Sequence, residues 1–204
     1  NSFAQQNPQA ALAALQHLPF GQQFGAYNSI FTAWARNDPI AAKAAALKLP
    51  PSDARDQAIQ GVAGAWAMQD PSSALAWANT LPLGPQKKSA LSSALLALGQ
   101  IDAASAANYT TQLTNGSLRD FLLGNITSNW AEEDPTSLLA WANQNLTGNE
   151  FDTAAKEAIA QMSNSDPADA ATALAQLNDP NLTNTAIPTL ALKWGGEDPQ
   201  SALA

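Results

Sequence analysis

A chain of 204 residues, 46% of them hydrophobic, is long and apolar enough to bury a core, which excludes a disordered segment. Nine Lys and Arg against 17 Asp and Glu leave a net charge of −8, which argues against nucleic-acid binding and polybasic membrane attachment, both of which need cationic surface. The lack of cysteine excludes disulfides, thiolate nucleophiles and thiolate metal sites, and no apolar run approaches the roughly 20 residues of a bilayer-spanning helix.

The apolar fraction is mostly Ala and Leu with few β-branched residues, a composition that favours helix over sheet. The elements then follow a period of 32 residues. A degenerate first unit opens at Asn7-Pro8, carries an Ala/Leu-rich helix over Ala10–Leu15, and turns at Leu18-Pro19. The phrase Trp34-Ala35-Arg36-Asn37-Asp38-Pro39 returns around Trp66 and Asp70, around Trp130 and Asp134, and around Trp194 and Asp198. Weaker copies surround Asp102 and Asp166.

Each of these aspartates is read as an N-cap. Its carboxylate accepts from the open N–H groups of a first helical turn, and the proline that usually follows suits the first helical position. Asp-Pro therefore begins a helix A and ends the helix before it. Helix A carries an apolar stripe, Ala74, Leu75, Trp77, Ala78 and Leu81 in one unit and Leu138, Leu139, Trp141 and Ala142 in another. Leu49-Pro50 and Leu81-Pro82 close it, as Leu18-Pro19 does in the first unit.

Helix B fills the remainder of each unit. Four residues before the aspartates stand Trp34, Trp66, Leu98, Trp130, Met162 and Trp194; eight before stand Ile30, Val62, Ala94, Ile126, Ala158 and Leu190. Eleven before stand Tyr27, Ile59, Leu91, Leu123, Ala155 and Ile187, completing a core stripe at helical spacing. The residue three before is always small (Ala35, Ala67, Gly99, Ala131, Ser163, Gly195), so two helix axes are expected to approach beside the large tryptophan. Pro188 is expected to kink the last helix B or to delay its start until that residue.

The expected fold is therefore all-α: an α-solenoid of about six 32-residue helical hairpins plus a partial terminal helix, one domain over 1–204. Units start near 7, 38, 70, 102, 134 and 166, with a partial unit from 198. The repeated Trp-Ala-x-x-Asp-Pro…Leu-x-Trp-Ala…Leu-Pro pattern resembles the tetratricopeptide and Sel1-like class of α-solenoids, and alanine-rich repeat arrays of exported bacterial proteins. The tetratricopeptide signature of Trp with Leu-Gly and Tyr is absent, and that family's period is 34. The resemblance implies a right-handed superhelix with a scaffold or binding role; it carries over no catalytic residue and no cofactor.

No catalytic, cofactor or metal residue stands out. His17 is the only histidine, read as solvated near the end of the first helix A. No serine elbow or phosphate loop appears. The clusters Glu132-Glu133-Asp134 and Glu197-Asp198 read as caps and exposed neighbours rather than a cation site, which would need several oxygens in one short loop. Trp34, Trp66, Trp130 and Trp194 recur on the core stripe; Trp77 and Trp141 vary among units, and core and groove both stay open for them.

Asn-x-Ser/Thr occurs at Asn108, Asn115, Asn125, Asn145 and Asn181. Glycan attachment on an exported surface is one reading and the ordinary preference of turns for Asn, Ser and Thr is the other. The chain begins at Asn1 rather than methionine, so an upstream segment is expected to have been removed. Neither terminal unit carries a polar cap, so the array is either a piece of a longer one or meets neighbouring copies head to tail. The expected role is a non-enzymatic structural or interaction protein, extracellular or periplasmic, that self-assembles into a filament or scaffold. The alternative is an adaptor taking a peptide or partner helix in a concave groove.

Overall fold

The computed structural model describes residues 2–15, 17, 23, 25–177 and 179–197. Those residues are all-α, with thirteen helices and no strand among them. In order these are α1 (Ser2–Gln6), α2 (Pro8–Leu15), α3 (Ala26–Ala35), α4 (Pro39–Lys48), α5 (Asp53–Ala67), α6 (Pro71–Thr80) and α7 (Pro85–Gly99). Then follow α8 (Ala103–Thr111), α9 (Ser117–Glu133), α10 (Pro135–Asn145), α11 (Gly148–Ser165), α12 (Pro167–Leu177) and α13 (Pro180–Glu197). Packing divides the chain into two compact units, 1–122 and 123–204, each described by itself below.

One residue type joins the helices. The backbone N–H of Asp38, Asp70, Asp102, Asp134 and Asp166 donates to the carbonyl four residues back (Trp34, Trp66, Leu98, Trp130, Met162) at 2.7–2.9 Å, closing the preceding helix. The carboxylate of the same residue accepts from the N–H three residues on (Ala41, Ser73, Ser105, Ser137, Asp169) at 2.9–3.0 Å, opening the next. Asp102 does this without a following proline. Asn7 performs the same capping for α2 through Ala10 N, at 3.2 Å. Leu49 and Leu81 turn the chain extended, with ψ of 144° and 146°, because the proline after each disfavours the α region. Asp198, Leu18 and Pro19 lie outside the described residues.

The helix B stripe is buried at Ile30, Val62, Ala94, Ile126, Ala158 and Leu190, and at Ile59, Leu91, Leu123 and Ala155, with Tyr27 half-buried. Ile187 departs from it at 49% exposed: among the described residues no helix follows α13 to cover that face. A further row, seven before each aspartate, sits deepest. Phe31, Ala63, Leu95, Thr127 and Ile159 each keep 2% or less of their surface exposed.

Of the two expectations for Pro188, the last helix overturns the delayed start. It neither waits for that residue nor stops there, but begins eight residues earlier at a further Asp-Pro pair, Asp179-Pro180, off the 32-residue register. The Asp179 carboxylate accepts from Asn181 N at 2.8 Å and Leu182 N at 3.2 Å, which supplies the start signal. Pro188 and Asn184, whose carbonyl loses its donor, are both exposed, and a missing helical bond costs least on a solvated face.

Within the first unit, α3 packs on α5 and α5 on α7, so helices B of successive repeats lie against each other. The A helices α4 and α6 each pack on the B helix before and the B helix after. The polar contacts keep the repeat register. Gly25 N donates to Gln57 Oε1 (2.9 Å) and Gln60 Nε2 to Ser89 Oγ (3.2 Å); at the corners, Asn37 Nδ2 donates to Gln5 O (3.2 Å) and Gln69 Nε2 to Arg36 O (3.1 Å). These partners are 29 to 33 residues apart. In the second unit α11 packs on α10, α12 and α13, and Thr127 Oγ1 donates to Glu157 across 30 residues at 3.4 Å.

Candidate interaction site

The turns between helices A and B form an edge of the first unit, and the chemistry of that edge is uneven. Here Gly84 (φ 149°) and Gly116 (φ 155°) lead into α7 and α9 in conformations that residues with a side chain rarely adopt. Gly84 offers α7 no side-chain cap, so the first N–H groups of that helix lack a side-chain acceptor. Between the two turns lies a groove of about 420 Å³ with an apolar floor that includes Leu91, Leu113 and Leu118 and a cationic rim of Lys87, Lys88 and Arg119. Lys87 is held in place by donating to Asn79 O at 2.8 Å; Lys88 is exposed. Three of the nine basic residues of an acidic chain thus line one groove.

A second depression of about 270 Å³ adjoins it, lined by Ser52, Asp53, Asp56, Pro82 and Gln86. The two share Leu83 and Gly84 as their common wall. Leu83 is 92% exposed, the most exposed large apolar side chain described. Asp53 and Asp56 stand in the first turn of α5, where the helix dipole favours a negative charge.

The other sequence-marked residues go elsewhere. Trp34, Trp66 and Trp130 are buried, and Trp194 is half-buried. Trp77 and Trp141 also belong to the core: each lies against the helix B tryptophan before it, Trp66–Trp77 at 5.9 Å and Trp130–Trp141 at 5.7 Å between ring centroids. Trp34 has Phe31 at 5.7 Å instead, and Lys43 Nζ lies 5.2 Å from the Trp66 ring. None of these indoles lines the groove as a stacking platform.

The capping carboxylates of Asp70, Asp102 and Asp134 are held below the usual aspartate range by the hydroxyl and then the backbone N–H of Ser73, Ser105 and Ser137. That is the chemistry of a helix start rather than of acid–base catalysis. Glu132 and Glu133 are exposed beside Asp134, as is His17 after α2. Among the described residues no three His, Cys, Asp or Glu groups come together as a metal ion would need.

The five Asn-x-Ser/Thr sites divide. Asn115, in the turn before α9, Asn145, ending α10, and Asn181, opening α13, are exposed, as is Asn108 within α8. Asn125 is half-buried within α9. Several hydroxyls of these triplets have structural work: Thr110, fully buried, donates to Ala106 O at 2.8 Å, Thr127 donates to Gly124 O at 3.2 Å, and Thr183 donates to Asp179 O at 2.7 Å. Asn115 also lines the cationic groove. Spacing alone did not reveal that groove, because Lys87 and Arg119 are 32 residues apart and only the stacking of repeats brings them to one rim.

Compared with protein-family models, with curated proteins and with solved structures, the chain matches none. The functional reading accordingly rests on its own residues.

Proposed function

We propose that the protein is a non-enzymatic structural and interaction protein, an exported α-solenoid of 32-residue hairpins over 1–204 that presents a repetitive helical surface and associates with copies of itself. The observation that carries the reading is the set of hydrogen bonds between residues about one repeat apart, Gly25–Gln57, Gln60–Ser89 and Gln69–Arg36, which stack equivalent helices on one another. Repeats of this kind bury their apolar faces only against neighbours, so stacking is both the source of stability and the means of extension. The apolar side chains Ile187 (49% exposed) and Leu192 (80%) on α13 supply surface for a further helix of another copy, in a head-to-tail contact.

Negative-stain electron microscopy of native protein over a range of concentrations tests this. Filaments whose axial repeat matches one chain are expected. Dispersed particles at every concentration would overturn self-assembly and leave the adaptor role, with a peptide or helix as partner.

A further inference from the structure

We infer that the edge formed by the turns Leu81–Gly84 and Gln112–Gly116 is a self-complementary surface that pairs two copies of this chain about a two-fold axis. It is distinct from the head-to-tail surface of α13 and does not depend on it. The edge holds two adjoining depressions of opposite charge. One carries Lys87, Lys88 and Arg119, the other Asp53 and Asp56, and Leu83 stands exposed on the wall between them.

A two-fold interface brings the same patch from each partner together, so that whatever lies on one side of the axis meets what lies on the other. With the axis through the shared wall, the cationic groove of one copy covers the anionic depression of its partner, twice over, and the two Leu83 side chains meet at the centre. An apolar centre inside a ring of opposite charges is the usual anatomy of an interface. A head-to-tail contact through the same edge would match the charges only once and would leave Leu83 away from the centre. The side chains of Lys88, Asp53 and Asp56 form no ion pair or hydrogen bond with any group among the described residues, so none of them must give up a partner to pair. The charges fix orientation and encounter rate, while Leu83 supplies the desolvated contact. Two depressions of this size make a small interface, at the weak end of specific association.

The test is sedimentation equilibrium of the wild type, of Lys88→Glu, of Asp53→Lys and of an equimolar mixture of the two variants. Far-UV circular dichroism verifies that each keeps its helix content; Asp56→Lys replaces Asp53→Lys if the latter does not. The wild type is expected to move from 21.2 kDa toward twice that mass as concentration rises, less so in high salt. Head-to-tail growth is read separately, as masses beyond the dimer. Each single variant opposes like charges at both contacts and is expected to associate at least about tenfold more weakly. In the mixture, the glutamate introduced in one chain faces the lysine introduced in the other, and the native Asp53 and Lys88 face each other at the second contact. Both pairings are thereby restored, and the mixture is expected to recover the wild-type dimer. Leu83→Asp is expected to abolish the dimer in any background. A wild type that shows no dimer up to about 500 μM, or a mixture no stronger than its components, overturns the inference.

Discussion

Tryptophan is the residue whose placement spacing left open. On helix A it occurs at Trp77 and Trp141, and in both units the B residue four before the capping aspartate is also Trp. Where helix A carries Ala45, Trp34 finds Phe31 instead, and where it carries Tyr109 or Ala173 the B residue is Leu98 or Met162. A helix B tryptophan thus occurs with and without a tryptophan on helix A, so the contacts Trp66–Trp77 and Trp130–Trp141 were settled by packing and not by spacing. The Trp77 indole N–H is buried with no acceptor, so the ring contributes area and stacking but no hydrogen bond. Trp77→Phe, which removes an unsatisfied donor, is expected to cost less than about 1 kcal/mol, whereas Trp77→Ala leaves a cavity and costs about 3–5 kcal/mol. Urea unfolding measures both; equal losses would mean that the indole nitrogen matters after all.

At the scale of the element, the boundaries were readable because each aspartate does two local jobs that depend on nothing distant. It ends one helix with its N–H and starts the next with its carboxylate. Asp179-Pro180 obeys the same rule off the period, and it was the period that hid it. The approach of neighbouring B helices was less legible. The small residues beside the tryptophans are indeed enclosed at Ala35, Ala67 and Ala131, yet one tight crossing lies elsewhere, at Gly61, where the Thr32 hydroxyl donates to Gly61 O at 3.4 Å. A Cβ at Gly61 would stand 2.5 Å from Asn28 O and 2.9 Å from Thr32 Oγ1. Gly61→Ala is therefore expected to lose about 1–3 kcal/mol despite its better helix propensity, because backbone cannot yield as a side chain can. Gly64→Ala, whose Cβ would meet Ser93 only at 3.8 Å, is expected to hold or gain stability. Thermal melts of the pair check this, and a stabilised Gly61→Ala would refute the close crossing.

The whole molecule adds these terms up in its response to acid. Asp70, Asp102 and Asp134 have folded pKa values lowered by the serine hydroxyls and N–H groups they accept from. Their contribution is complete above the ordinary aspartate value of about 4 and is lost as pH falls through the lower folded values. Glu157 goes the other way, since burial raises its folded pKa and the Thr127 hydroxyl offsets that only in part. Its cost is present above the raised value and is relieved as pH falls from there toward the ordinary glutamate value. Acidification is thus expected first to raise stability slightly and then to lower it. In Glu157→Gln the initial rise disappears while the later fall remains. Melting temperatures across roughly pH 3–7 read both phases, and a rise that survives Glu157→Gln would assign it to another group.

By itself the sequence determined the helical class, the 32-residue period, the aspartates that end each helix B and start the next helix A, and most of the buried face. All of these depend on interactions within a few residues: an N-cap, a proline's missing N–H, a stripe at helical spacing. Tertiary packing decided what depends on residues about one repeat apart. It buried Trp77 and Trp141 against their partners, put the tight crossing at Gly61, and left Ile187 uncovered on α13. It also gathered Lys87, Lys88 and Arg119 on one rim beside Asp53 and Asp56, with Leu83 between. A local rule ties each residue to its near neighbours, whereas the stacking of helices ties it to the residue that the next repeat happens to place alongside.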